Sequence, residues 1–411
     1  MQKKSIAILG GGPAGATLAA LLARDGYNVG IYHTEKRPEL IVGESLLPAV
    51  VPILRELEVE DEIKAFSVYK PGATVWLSHD EIIPFEFGWA KGGLPNYAYN
   101  TPRKEFDEAI LGAAIRNGAV LLPYSARLRQ EGDSVFLDDG SLAASDGLFA
   151  GQPDMIVDAT GRSRQIAKLL KIPTQRGTRK DTALFAHMDK VVMTSPGHIH
   201  VDRYEQGWGW RIPLQGKVSV GIVVDPLHLK KYGDRAEEQF DNFIAGNQCI
   251  GLYAKDARRL TSVVKYSNYQ LISQKMYGKN WACIGDAAGF VDPVFSTGAY
   301  LALKSGKMLY QAITLDRPGA FAAYEKTFHR ELGMWQKVIN TWYNGRLFSL
   351  YRAGQTMRNN FIGKGIEPHI EKHLSRIFTG EAVNGVYSRG LLAFMSRFAL
   401  LVRRPKDLVI H

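Results

Sequence analysis

The sequence predicts an α/β protein with a parallel sheet on its N-terminal side, a second, antiparallel sheet, and a helical C-terminal region. Three observations predict it. Residues 3–24 read as a buried strand, a glycine turn and a helix rich in Ala and Leu. Residues 75–84, 182–192 and 198–224 carry alternating apolar and aromatic positions separated by short turns. After Pro318, the positions Phe321, Tyr324, Phe328, Leu332, Trp335 and Ile339 recur every three or four residues, as on a helix with one buried face. At 411 residues and 45% hydrophobic content, the chain can bury a large core in two or three layers or lobes.

The first element carries the most local information. Ile6, Ile8 and Leu9 lead into Gly10-Gly11-Gly12-Pro13-Ala14-Gly15, a GxGxxG at Gly10, Gly12 and Gly15 that opens a helix from Ala14 to Arg24. Gly10 permits the tight turn, Gly12 lets the backbone approach a pyrophosphate, and Gly15 lets helix pack on strand. The helix N-terminus offers its N–H groups to the anion. The expected unit is therefore a Rossmann-type dinucleotide-binding fold. Its second strand, Asn28 to Tyr32, ends at His33, where such folds usually carry an acidic ribose ligand. Glu35 is the first choice for that role and His33 the second. Met155-Ile156-Val157, before Asp158-Ala159-Thr160-Gly161, and Trp281 to Ile284, before Gly285-Asp286, read as further buried strands.

Composition narrows the class. The two cysteines, Cys249 and Cys283, lie far apart without CxxC or Cys/His spacing, so neither a metal site nor a disulfide framework is expected. No run reaches the roughly 20 apolar residues of a membrane-spanning helix. Glycines interrupt the apolar stretch from Ser5 to Leu22 and no small-residue cleavage pattern follows, so a cytoplasmic protein is expected. The formal charge is +10, and residues 346–411 hold eleven Lys and Arg against four Asp and Glu. That excess fits an acidic carrier protein or peripheral contact with anionic lipid, or simply a solvated helical surface. No nucleic-acid signature accompanies it.

Lys70, in Val68-Tyr69-Lys70-Pro71-Gly72-Ala73, has no explanation in this framework. Taken with Trp208-Gly209-Trp210-Arg211-Ile212-Pro213 and with Gly285-Asp286-Ala287-Ala288-Gly289-Phe290-Val291-Asp292-Pro293, it resembles the flavin-dependent halogenases over roughly residues 1–345. The wording of Gly43-Glu44-Ser45-Leu46-Leu47-Pro48 is that of the phenol and pyrrole branch.

The resemblance implies FAD as cofactor and halide as co-substrate. It places Glu44 and Ser45 in the cofactor loop, Arg103 of Thr101-Pro102-Arg103-Lys104 on the flavin nucleotide, and Asp286 near the ribityl or pyrophosphate region. Pro293, Gly298 and Ala299 would lie beside the flavin. The helix from Ala299 to Leu309 would point its N-terminus at the ring, favouring reduced anionic flavin. Backbone amides at Thr297 and Gly298 would hold the halide, with Ser296 near the lysine. Trp208, Trp210, Ile212 and Pro213 would separate flavin from organic substrate, although the same alternation also suits a strand packed in a core. Lys70 would accept hypohalous acid, by hydrogen bond or as a haloamine, and present it to an aromatic carbon. Because no second GxGxxG follows residue 15, a separate flavin reductase is the expected electron source.

Phe295 stands where tryptophan halogenases carry a glutamate. A free indole needs help losing its proton after attack, whereas a phenol or pyrrole has its own electron-releasing heteroatom. The expected substrate is thus a phenol- or pyrrole-type arene, free or tethered to an acidic carrier protein. The alternatives are a monooxygenase hydroxylating an aromatic or a protein side chain during quinone-cofactor maturation, and a catalytically silent FAD-binding scaffold. The expected organisation is a Rossmann-like domain from 1–180 and 265–315, a substrate-side sheet from 65–100 and 181–264, and a helical region from 316–411.

Overall fold

The computed structural model describes residues 3–34, 40–177, 179–267, 270–357, 372–381, 390 and 408–411. Five strands form a parallel sheet in the spatial order Trp281–Cys283, Met155–Asp158, Ser5–Leu9, Asn28–Tyr32, Val120–Leu122. Ser5–Leu9 sits at the centre, pairing Ile8 with Val157 on one side and with Ile31 on the other. Its apolar residues are almost wholly excluded from solvent, as expected for a strand covered on both faces. The helix Pro13–Arg24 follows at once and buries every residue from Ala14 to Ala23. Small side chains make this possible: a Cβ at Gly306, on the helix Thr297–Leu315, would come within 2.6 Å of the Ala14 carbonyl.

The second sheet has seven strands, in the order Val264–Ser267, Thr182–Met188, Lys217–Val224, Gly207–Leu214, Ile199–Tyr204, Gly72–Trp76, Ile82–Glu86. It is antiparallel except where Ile199–Tyr204 runs parallel to Gly72–Trp76. The stretch 75–84 spans the turn of an antiparallel hairpin, Gly72–Trp76 with Ile82–Glu86, and this hairpin joins the sheet from a distant part of the chain. A pair joined through space can run in either direction. Lys70 ends the short strand Val68–Lys70, which pairs with Ala98–Asn100.

The helix Ala320–Tyr343 buries Tyr324, Phe328, Leu332, Trp335 and Ile339 of the predicted stripe, and leaves its first member, Phe321, half-buried. No described helix is long and apolar enough to cross a membrane, and no group of His, Cys, Asp or Glu among the described residues could hold a metal ion. Within the helical region expected from 316–411, residues 358–371, 382–389 and 391–407 lie outside the described residues, as does Glu35.

Candidate active site

A cavity of about 550 Å³ opens between the two sheets, with the glycine turn at one end and the seven-stranded sheet along its side. Gly10 has φ +109°, and a Cβ there would lie 2.4 Å from the Ala159 carbonyl. At Gly15 a Cβ would lie 2.1 Å from the Gly10 carbonyl. Both glycines are structural and neither lines the cavity. Gly12 and Ala14 do line it, and a Cβ at Gly12 would meet nothing within 4 Å. That open space over the N-terminus of Pro13–Arg24 is where an anion would sit.

The opposing wall comes from the strand ending at Asp158. Its buried carboxylate accepts hydrogen bonds from Thr160 N at 3.0 Å, Thr160 Oγ1 at 2.6 Å and Ile166 N at 2.8 Å, fixing the Ala159 to Gly161 passage beside the glycine turn. Arg103 reaches the cavity from the first turn of Arg103–Arg116, its guanidinium held by Val42 O at 2.5 Å and by Asp107. Asp286 lines the cavity at the end of a third strand. Burial raises its carboxyl to about 6, although Arg103 and Arg162 oppose the shift. No described residue hydrogen-bonds to that carboxylate, which leaves it available to hydroxyls of a ligand.

Trp208, Trp210 and Ile212 line the cavity on the sheet side. Pro213 does not, because alternation turns it to the other face of the strand. The Trp208 and Trp210 rings lie 5.7 Å apart, and Trp210 is within 5.8 Å of Phe185. Facing them are Pro293, Ser296, Gly298 and Ala299, at the start of the 19-residue helix Thr297–Leu315. Its N-terminus gives this end of the cavity a partial positive charge. Ser296 has φ +57°, a left-handed conformation unusual for serine, and no side chain caps the helix. Thr297 turns its hydroxyl inward to Asp292 O at 3.2 Å and is not on the wall itself.

Ser45 lines the cavity and donates to Asn100 Oδ1 at 2.9 Å. Glu44 is not on the wall: its carboxylate lies 2.7 Å from His187 Nε2, both side chains being buried. Lys70 is also off the wall, behind residues 45 and 46, only 2% exposed. Its Nζ donates to Leu46 O at 2.9 Å and lies 5.3 Å from the centre of the Phe87 ring. Burial lowers its ammonium from the ordinary lysine value to about 7. Phe295 is buried against Trp342, Phe378 and Trp335, so no acid faces the site from that position.

Three residues that sequence reasoning left without a role complete the surroundings. Asp292, Gln270 and Tyr343 form a buried network behind Trp208 and the 293–298 turn. Asp292 is part of the Gly285 to Pro293 motif, and Tyr343 falls four residues beyond Ile339, where the helical spacing reads as core.

The walls fit FAD: an open anion cradle at Gly12, a guanidinium at Arg103, a half-buried carboxylate at Asp286 with no hydrogen bond from a described residue, and an aromatic end for a planar ring. One consequence separates cradle from scaffold. Gly12→Val should leave the melting temperature near wild type while weakening FAD binding by at least tenfold, about 1.4 kcal/mol. Gly10→Ala should instead cost folding stability, on the order of 1–3 kcal/mol, through a strained φ and a backbone clash. Thermal melts and FAD fluorescence titrations check both.

The chain matches the tryptophan halogenase family over residues 5–95 and 93–347. It is 30% identical over 333 residues to a flavin-dependent halogenase of Armillaria mellea, covering 73% of this chain and 65% of that protein. It therefore spans just under two thirds of that relative. It is 25% identical over 386 residues to the 1H-pyrrole-2-carbonyl-[peptidyl-carrier protein] chlorinase of Pseudomonas fluorescens, covering 85% of each. A flavoprotein/dehydrogenase of Cytophaga hutchinsonii superimposes with TM-score 0.82 at 24% identity, covering 97% and 99% of the two chains. The myxobacterial chondrochloren halogenase CndH does so at 0.74 and 23%, covering 100% of each. At these identities the two structures speak for the fold.

Proposed function

The chain belongs to the tryptophan halogenase family, and from that premise we propose that it halogenates an electron-rich arene of phenol or pyrrole type. Its co-reactants are halide, O2 and FAD reduced by a separate flavin reductase. The observation that carries the reading is the single cavity joining Gly12, Arg103 and Asp286 to Trp208, Trp210 and the N-terminus of Thr297–Leu315.

When bound in reduced form, FAD supplies the electrons that convert O2 and halide into hypohalous acid. The residues do the rest. Trp208, Trp210 and Ile212 keep the arene off the flavin, so the oxidant meets halide first. The amides at Thr297 and Gly298 hold that halide, helped by the helix N-terminus. Burial keeps much of Lys70 as free amine near neutral pH. A free amine takes the halogen from hypohalous acid, and its lost proton leaves with hydroxide as water. Ser296 orients the acid along that route, and Lys70 then presents the halogen to the ring carbon.

Phe295 supports the phenol or pyrrole class, since no carboxylate there would assist an indole. The Pseudomonas relative, named for a carrier-bound pyrrole, supports a tethered substrate, with the basic excess of residues 346–411 meeting an acidic carrier. The test is a crystal of the FAD complex grown in bromide. Anomalous density beside the Thr297 and Gly298 amides is the expected result. Bromide absent from that turn, with hydroxylated product in solution, would favour the monooxygenase alternative.

A further inference from the structure

Trp208 forms part of the cavity wall, and its indole N–H, which can only donate, meets the Tyr343 hydroxyl at 3.0 Å. That fixes the direction of the next bond: Tyr343 accepts from the indole and donates to Asp292 Oδ2 at 3.1 Å. The same oxygen accepts from Gln270 Nε2 at 2.9 Å, while Oδ1 accepts from Val294 N at 3.0 Å. The Asp292 carbonyl accepts from the Thr297 hydroxyl. Asp292 thus anchors both ends of the turn that carries residues 293–297. Ionised, its carboxylate is acceptor-only and suits all three donors. Tyr343 joins this anchor to the tryptophan wall.

We propose that Tyr343 is a positioning residue for halide use, holding the 292–298 turn and the Trp208 wall in one fixed relation so that the turn's amides face the cavity. The inference rests on the halogenase reading of the site. Without the tether, the turn loses one of its supports and the Trp208 N–H is left buried without its partner. The cost should fall on the bound halide rather than on FAD, whose other contacts at Gly12, Arg103 and Asp286 lie elsewhere on the wall.

The tether is also sensitive to pH. Burial, with a smaller push from Asp181, holds the Asp292 carboxyl up at about 6 against the pull of the three donors. The facing cation is Arg179, bonded to Asp181 at 2.6 Å and stacked 4.1 Å over the Tyr343 ring. Protonated Asp292 would turn one oxygen into a donor among donors. Halide affinity should therefore fall as pH drops through about 6. Tyr343→Phe removes a donor that favours the carboxylate, so its loss of affinity should begin at higher pH.

The experiment titrates bromide into the FAD complexes of wild type, Tyr343→Phe, Trp208→Phe and the double variant, following flavin absorbance across pH 5–8, with steady-state kinetics alongside. For Tyr343→Phe we expect bromide affinity to fall about tenfold, the size of one lost buried hydrogen bond. The bromide KM should rise in step, kcat should change less than about threefold, and FAD affinity and melting temperature should stay near wild type. The double variant should lose little more than Tyr343→Phe alone, because both changes cut the same tether. Wild-type bromide affinity and an unmoved pH profile in Tyr343→Phe would overturn the inference. So would a drop in FAD affinity or melting temperature that accounts for the whole effect. A wild type that binds no bromide at all would instead overturn the halogenase reading, and this inference with it.

Discussion

Lys70→Met is expected to make the protein more stable and to stop it halogenating. The Lys70 ammonium is buried to 2% exposure, faces the Leu46 carbonyl and the Phe87 ring, and has its titration lowered to about 7. Between that pH and the ordinary lysine range, the unfolded chain holds a proton that the folded chain has released. Unfolding is therefore favoured there, and stability should climb as pH rises through the window. Methionine fills similar volume without a charge to desolvate. The gain at pH 7.5 should be on the order of 1–3 kcal/mol, after allowing for the unpaired Leu46 carbonyl. The pH slope between about 7 and 10 should flatten. Activity should move the other way, with halogenation falling roughly 10²–10⁴-fold, the range that positioned proton-transfer groups supply. Urea unfolding as a function of pH and product analysis together decide it. Equal or lower stability with retained halogenation would mean that Lys70 is a core lysine without a catalytic role.

The second large effect concerns the sheet that carries Trp208 and Trp210. Arg211 and Asp202 are both wholly buried and pair through two hydrogen bonds, Nε to Oδ2 at 2.9 Å and Nη2 to Oδ1 at 2.7 Å. The Arg211 guanidinium also lies 4.4 Å from the Tyr253 ring centre and 5.5 Å from that of Trp76. Asp202→Ala strands that charge and should cost about 3–5 kcal/mol. Combining it with Arg211→Met should recover much of the loss, because no buried charge then remains unpaired. Unfolding free energies of the four proteins close the cycle. A double variant as unstable as the sum of the singles would contradict this account.

The parts of the site legible in the sequence are those set by local backbone demands. Gly10, Gly12 and Gly15 could be read because each position in a strand–turn–helix has its own steric reason, and the structure gives them different surroundings accordingly. The alternation in 199–224 likewise marked strands, and the spacing after Pro318 marked a helix. What could not be read depends on contacts between distant segments. Nothing in residues near Tyr343 shows that its hydroxyl meets an aspartate 51 positions earlier and an indole 135 positions earlier. The parallel docking of Gly72–Trp76, the Glu44–His187 pair and the burial of Lys70 behind residues 45 and 46 are of the same kind. Glu44 shows the limit plainly: its motif suggested a cofactor contact, yet its carboxylate faces a histidine on the other sheet.

The central claim is that this cavity makes a halogen electrophile rather than a hydroxylating agent. The direct measurement is mass spectrometry of products from a panel of phenols and pyrroles, free and carrier-bound, incubated with the protein, FAD, a flavin reductase, NADH, O2 and bromide. The account predicts monobrominated product, recognised by its paired bromine isotopes, that requires bromide and disappears in Lys70→Ala while consumption of reduced FAD continues. Product gaining a single oxygen, formed equally well without bromide, would contradict it.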